Sequence, residues 1–179
     1  MRGMQAQDDK DFYSVTPLLS YSSVRHFGHI GSYRPGDIFA NRLALSAAGL
    51  HRPTWAGISG TQHEGVDSIV LADAYEDDVF TDDEIRYAGH GGRDPRTGKQ
   101  VADQLLTDRN LALVKSHETG KPVRVLRKVA HEGSMVFRYE GLFHVTAYEY
   151  APGKSGYGIW LFHLKPSHSP VQTPSTQSA

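Results

Sequence analysis

The sequence contains no cysteine, and this absence removes two architectures at once. Both a disulfide framework and a thiolate zinc site need cysteine. No apolar run approaches the ~18 residues that a membrane-spanning helix needs, and the first residues, MRGMQAQDDKD, are too polar for a signal or transit peptide. We therefore expect a soluble protein without a membrane partner. It would be cytoplasmic, nucleoid-associated in a bacterium and nuclear in a eukaryote.

Several short catalytic motifs are also missing. The stretch GHGG at residues 89–92 resembles the glycine-rich oxyanion loop of esterases, but no GxSxG nucleophile motif accompanies it. The chain has no P-loop, no GxGxxG, no HExxH and no calcium-loop spacing. We therefore expect no enzyme activity, no cofactor and no small-molecule substrate. A small metal-dependent enzyme built on Asp78 and His90 remains an alternative from the residues alone.

The charge of the chain is balanced in total and uneven in distribution. The net charge is −1, yet residues 64–84 hold nine of the 20 acids and no lysine or arginine. The rest of the chain has the remaining 11 acids and all 19 basic residues. Residues 85–128 alone carry ten basic residues and four acids. An acidic patch on a basic chain raises the expectation of a nucleic-acid partner. A mixed, solvated surface is the alternative that charge alone leaves open.

Helix signals occur in two places. Residues 37–49, DIFANRLALSAAG, predict a helix capped by Asp37 and ended by Gly49. Residues 101–117 predict one or two short helices, the second capped by Thr107 or Asp108 and ended near Gly120.

Strand signals dominate the second half of the chain. Residues 67–72 predict a short buried strand, and further strands are predicted, with breaks at Gly141 and at PGKSG, over residues 123–129, 135–141, 142–150 and 157–165. Together the elements predict a small α+β fold around a curved sheet or barrel. We expect an N-terminal arm at residues 1–26, a single domain at 27–165 and a disordered tail at 166–179. The oligomeric state is open, and a monomer is expected.

The most distinctive segment is YEDDVFTDDEIRYAGHGGRD, residues 75–94. Tyr75 and Tyr87 stand at the two ends of an acidic loop, so a loop that folds back would let their rings hold a planar ligand. Stacking between an aromatic side chain and a base contributes about 1–3 kcal/mol. A carboxylate between the rings could accept a hydrogen bond from an exocyclic amine. The alternative is that both tyrosines are half-buried barrel residues beside solvated acids.

A family resemblance decides between these alternatives. Five segments, taken together and in this order, resemble the SRA domain (SET- and RING-associated, also called YDG): GLHRPTWAGISG (49–60), SIVLADAYEDDV (68–79), IRYAGHGGRD (85–94), DQLLTDRNLAL (103–113) and GKPVRVLRKV (120–129). The resemblance covers residues 27–165. It implies a PUA-like twisted β-barrel with a few flanking helices. It also implies binding of double-stranded methylated DNA, with 5-methylcytosine flipped out of the duplex.

The resemblance also assigns roles to individual residues. Tyr75 and Tyr87 would sandwich the flipped base, and Asp78 would read its Watson–Crick edge. Trp55 would be inserted as a wedge into the gap in the duplex. The remaining pocket would be formed by Ala72, Asp73, Ala88 and His90. Basic residues of the segments and their neighbours are expected at DNA phosphates: Arg52, Arg86, Arg93, Arg96, Lys99, Arg124, Arg127 and Lys128.

The chain departs from the family pattern at two points. Ala88 and His90 stand where members that read hemimethylated CpG carry Thr and a small hydroxyl residue. The loop after Arg93, DPRTGKQVADQ, is shorter than the basic finger of those members. These departures imply that methylated cytosine is read in a loose sequence context. The second functional alternative is the recognition module of a modification-dependent restriction endonuclease.

Overall fold

The computed structural model describes residues 24–73 and 75–167. Two helices and eight strands follow one another in this part of the chain: β1 (Ile38–Phe39), α1 (Arg42–Ala47), β2 (Ile58–Thr61), β3 (Gly65–Leu71), β4 (Val79–Phe80), β5 (Ile85–Ala88), α2 (Asp108–Thr119), β6 (Val123–His131), β7 (Ser134–Pro152) and β8 (Gly158–Pro166). The predicted α+β class is confirmed. None of the described helices is long and apolar enough to cross a membrane.

The eight strands form one sheet with the order β2-β3-β6-β7-β8-β5-β4, and β1 pairs separately with β7. All neighbours are antiparallel except β3 and β6, which are parallel. A parallel pair needs a crossover connection, and here the crossover contains β4, β5 and α2. This connection carries the acidic loop, between β3 and β5, and the glycine-rich loop that follows β5.

The hydrophobic core lies on the face of the sheet that α2 covers. Leu113 of the helix packs with Ile69 of β3, Val125 of β6 and Phe162 of β8, and all four side chains are buried. In a second buried cluster, Leu45 of α1 packs against residues of β3, β6 and β7. β3 is buried along its whole length, and the first four residues of β6 are buried beside it.

The first predicted helix was too long. Residues 38–39 form β1 and the helix begins only at Arg42, because Asn41 rather than Asp37 caps it: the Asn41 side chain accepts a hydrogen bond from the Ala44 amide at 2.9 Å. Asp37 instead accepts the Arg34 amide at 2.8 Å in the preceding turn. A short capping side chain competes well for local amides in turns as well as at helix starts.

Three other predictions of element boundaries have mixed outcomes. The predicted break at Gly141 is wrong, because β7 runs through it with a positive φ of 97° opposite an irregularity in β6. Residues 101–107 are not helical. Thr107 stands at the start of α2, as predicted, but its side chain makes no capping hydrogen bond; Gly120 ends the helix in the left-handed conformation, as predicted. At Gly141, the irregular pairing between β6 and β7 bends β7 rather than ending it.

A buried arginine ties the start of the described chain to the sheet. The side chain of Arg124 is 1 % exposed. It donates to the carbonyls of His26 and Gly28 at 2.7 and 2.8 Å and to that of Leu50 at 2.9 Å, and it lies 3.5 Å from Asp67. Its predicted contact with a DNA phosphate is therefore wrong, because its donors are used inside the fold.

Residues on both sides of the expected domain, 27–165, make contacts with it. Arg25 forms salt bridges with Glu64 and Asp67, so the packed body begins before residue 27. At the other end, the Ser167 amide donates to Leu142 at 2.9 Å. The predicted arm at residues 1–26 and tail at 166–179 otherwise lie outside the described residues.

Candidate base-binding site

A cavity of about 550 Å³ opens where three loops meet above the end of β5. The loops are the segment before β2, the acidic loop after β3 and the glycine-rich loop after β5. The cavity is within the range of small-molecule pockets. Of the residues predicted from sequence, seven line it: Trp55, Ala72, Tyr75, Asp78, Tyr87, His90 and Arg93.

The two tyrosines line this cavity from different depths. Tyr87 is 4 % exposed, belongs to the main core and directs its hydroxyl to the Gly57 carbonyl at 3.3 Å. Burial raises the pKa of its phenol well above the usual value. Tyr75 is half-buried, and the guanidinium of Arg93 lies 5.1 Å from the centre of its ring. One aromatic wall is therefore rigid and the other is reached from the surface.

Asp78 is the only carboxylate among the described cavity residues whose pKa is clearly raised. Its Oδ1 accepts the Ala88 amide at 2.7 Å. Burial raises the pKa of the carboxyl to about 7; the Ala88 amide opposes the rise, and Asp77 and Asp73 add to it. Ala88 thus contributes to the site through its backbone. Asp73 does not line the cavity; it borders two neighbouring ones.

The glycine-rich loop is fixed by two side chains that the sequence analysis did not single out. Gln104 donates to the Gly89 carbonyl at 2.7 Å. Asn110 accepts the His90 amide at 2.7 Å and donates to the His90 carbonyl at 2.8 Å. A Cβ at Gly89 would lie 2.5 Å from Oδ1 of Asn110. Glycine is therefore required here for close packing against α2.

Trp55 stands almost free of the protein, with 91 % of its surface exposed. Its loop is nevertheless held firmly. Arg42 donates to the carbonyls of Pro53 and Ala56 at 2.9 and 2.6 Å, and a nitrogen of the buried His51 ring lies 2.8 Å from the same Ala56 carbonyl. Burial lowers the pKa of His51 to about 4, so its ring is neutral at physiological pH and donates from this nitrogen. The indole is therefore exposed to solvent on a loop that is itself held by side chains of the fold.

Of the basic residues predicted at DNA phosphates, only Arg93 lines the cavity. Arg96 and Lys99 are exposed in the turn that follows it. Arg52, Arg86 and Lys128 are exposed elsewhere. Arg127 is half-buried between Glu140 and the ring of Phe80. Two arginines that the sequence analysis did not propose, Arg42 and Arg109, complete the basic residues of the lining.

The alternative of a metal-dependent enzyme rested on Asp78 and His90. Both line the cavity. Within residues 24–73 and 75–167, no group of three or more His, Asp or Glu side chains is placed to hold a metal ion.

Comparison with protein families gives a match over residues 26–169 to the SAD/SRA domain. The chain belongs to this family. Among curated relatives, E3 ubiquitin-protein ligase UHRF1 of Bos taurus is 38 % identical over 165 residues, which are 78 % of this chain and 21 % of that protein. The SAD/SRA chain thus spans about a fifth of the length of this relative. The resemblance noted in the sequence is confirmed.

Solved SAD/SRA structures share the fold. A modification-dependent restriction endonuclease, TagI, superimposes with a TM-score of 0.74 and 40 % identity over 80 % of this chain and 53 % of TagI. The SUVH5 SRA domain in complex with fully methylated CG DNA gives 0.69 and 30 % identity over 81 % of this chain and 96 % of that domain. The predicted SRA-type fold is therefore confirmed. Its sheet runs from β2 to β4 without closing among the described residues.

Proposed function

We propose that this SAD/SRA domain binds double-stranded DNA that contains 5-methylcytosine and holds the modified base, flipped out of the duplex, in the 550 Å³ cavity. The observation that carries the proposal is the meeting of Tyr75, Tyr87 and Asp78 at one cavity beside an exposed Trp55. The DNA-bound SUVH5 relative supports methylated DNA as the partner class. The roles proposed for individual residues are argued from the chemistry of their side chains.

The proposed contacts are large enough to offset base flipping. Extruding a paired base costs a few kcal/mol. Stacking on an aromatic side chain returns about 1–3 kcal/mol, and a hydrogen bond to a charged group returns about 1.5–3 kcal/mol. Asp78 is the acceptor for the N4 amine of cytosine, because the Ala88 amide holds the carboxyl through Oδ1 and leaves Oδ2 for the base. Trp55 replaces the stacking that the extruded base leaves behind.

Phosphate binding belongs to the basic residues around the cavity mouth. Arg93, Arg96 and Lys99 are exposed and lie within one short segment that begins at the cavity lining. Each phosphate that they neutralise releases counterions and makes binding sensitive to salt. The acids of the 76–84 loop would repel phosphates, so the DNA backbone runs along the arginine side of the opening.

A second candidate function follows from the match to TagI. The same domain could act as the recognition module of a modification-dependent restriction endonuclease, with the nuclease on another segment or chain. Incubating methylated plasmid with this chain and Mg²⁺ tests whether the chain itself cleaves DNA or only binds it. Cleavage by the chain itself would reject the proposal of a pure binding module, and intact plasmid would support it.

Binding to matched duplexes tests the proposed function directly. We expect the duplex with one 5-methylcytosine to bind more tightly than the same unmodified duplex, by up to tens of fold, because one buried methyl contributes about 1–3 kcal/mol in a tight pocket. Fluorescence anisotropy at two stated salt concentrations measures both affinities. Equal affinities at both salt concentrations would contradict the proposal.

The raised pKa of Asp78 predicts a pH dependence. Oδ1 is held by the Ala88 amide, so Oδ2 is the oxygen for the N4 amine, and an ionised carboxyl accepts more strongly than a protonated one. The pKa of about 7 leaves the carboxyl increasingly protonated below neutrality. Affinity for the methylated duplex should therefore fall as the pH drops from 8 to 6. The same titration with unmodified DNA should be nearly flat and serves as the control. A methylated-duplex affinity that rises towards pH 6 would exclude the carboxylate as the acceptor.

A further inference from the structure

Arg109 is a cation inside the cavity lining whose role the proposed function leaves open. It is half-buried in the first turn of α2 and lines the cavity together with His90. No carboxylate of the described residues forms a salt bridge with it within 4.0 Å. A partly buried guanidinium without a paired acid is costly unless a ligand or water satisfies it.

The position of Arg109 relative to His90 is fixed by the neighbouring residue. Asn110 binds both the amide and the carbonyl of His90, at 2.7 and 2.8 Å, and holds the Leu105 carbonyl at 2.8 Å. The first turn of α2 is thereby locked against the glycine-rich loop. Arg109 and His90 consequently form one continuous part of the cavity wall.

The charge of Arg109 acts within the cavity. Burial is the main cause of the lowered pKa of His90, and the positive charge of Arg109 lowers it further. The same charge opposes the rise in the pKa of Tyr87 that burial causes. Tyr87 is a buried residue of the same lining. The other acid in the lining, Asp94, is used locally, where its Oδ1 accepts the Arg96 amide at 2.8 Å.

We infer that Arg109, together with His90, contacts the substituent at position 5 of the bound cytosine and favours an anionic one, the carboxylate of 5-carboxylcytosine. This inference rests on the proposed function. Asp78 reads the N4 edge from one wall, and position 5 is next to that edge on the ring, so the substituent points to a neighbouring wall. A guanidinium pairs with a carboxylate through two parallel hydrogen bonds, whereas a methyl group gains nothing from it.

The other oxyanion available in DNA is a backbone phosphate, and the observations favour the base. Arg93, Arg96 and Lys99 are exposed beside the opening, where phosphates pass, whereas Arg109 is half-buried next to His90. A phosphate contact is therefore an outcome that the experiment must separate from the proposal.

The test compares four duplexes that differ only at one central base: cytosine, 5-methylcytosine, 5-hydroxymethylcytosine and 5-carboxylcytosine. Anisotropy titrations give Kd for the unaltered chain, Arg109→Gln and Arg109→Lys. The matched control is Lys115→Gln, which removes a cation from the same helix away from the cavity. The decisive quantity is the ratio of Kd for the methyl duplex to Kd for the carboxyl duplex.

We expect Arg109→Gln to lower that ratio by about tenfold or more, the loss of a charge-assisted pair, while Kd for the methyl duplex changes less than threefold. Arg109→Lys should recover part of the ratio, and Lys115→Gln should leave it unchanged. A uniform loss on all four duplexes with a weaker salt dependence would overturn the inference in favour of a phosphate contact. An unchanged ratio would overturn it as well. If the unaltered chain instead binds every modified duplex no better than cytosine, the proposed function itself fails.

Discussion

Replacing Asp78 with Asn should abolish the preference for methylated over unmodified duplex and leave salt-dependent background binding in place. The asparagine oxygen can still accept the Ala88 amide, so the loop keeps its shape. Its NH₂ group then meets the N4 amine of cytosine, donor against donor. A buried donor without an acceptor costs about 1–3 kcal/mol, in addition to the lost charge-assisted bond. The expected change is the whole of the preference, up to tens of fold.

The control for this variant comes from the same acidic loop. Asp82→Asn and Asp83→Asn remove the same charge from exposed positions that do not line the cavity. Both should keep the preference and tighten background binding slightly, because they remove repulsion of phosphates. If Asp78→Asn retains the preference in side-by-side titrations, the carboxylate does not read the base.

Stability measurements separate lost recognition from misfolding, and the sign is unusual for a carboxylate. Folding raises the pKa of Asp78 from its ordinary value of 3.8 to about 7, so the fold favours the protonated form. Its contribution to stability is present below about pH 4 and is lost as the pH rises through 7. Asp78→Asn should therefore raise the melting temperature at pH 8 and have little effect at pH 4. A lower melting temperature at pH 8 would mean that the variant disturbs the loop.

Much of the sheet could be predicted because its strands are long and strongly patterned. β6 and β8 were predicted within about two residues of their ends. The break at Gly141 was wrong because glycine with a positive φ suits a bulge as well as a turn, and only the pairing partner distinguishes them. Asp37 and Asn41 are both good helix caps, so the true start of α1 depended on which one the turn at residue 34 already used.

Some residues of the candidate site could be predicted from the local sequence, and others depend on contacts between distant parts of the chain. Tyr75, Asp78 and Tyr87 stand within one short segment, so a family pattern could identify them together. Gln104 and Asn110 act on backbone carbonyls and amides up to 20 residues away, and such contacts leave no local signature. Arg124 was misassigned because its strand looked basic on one face. That face is covered by residues 26–28, which only the tertiary structure shows.

Replacing Trp55 with Ala should weaken binding of the methylated duplex by about tenfold, with a change below threefold for the unmodified one. The indole is 91 % exposed in the free domain, so its removal costs the fold little. In the complex it would stack in the gap left by the flipped base, and such stacking contributes about 1–3 kcal/mol. Unmodified cytosine stays paired for more of the time, so the wedge contributes less there.

The flipping role can be measured separately from affinity. A 2-aminopurine next to the modified cytosine brightens when its stacking neighbour leaves the helix, and a wedge that fills the gap quenches it again. We therefore expect Trp55→Ala to give brighter complexes than the unaltered chain at saturating protein, whereas Trp55→Phe should retain most of the quenching and most of the affinity. Leu43→Ala removes another exposed apolar side chain, outside the cavity, and should change neither signal. Because Arg42 and His51 hold the loop through backbone carbonyls, the truncated loop keeps its position. Equal losses on methylated and unmodified duplexes would identify Trp55 as a general DNA contact rather than a wedge.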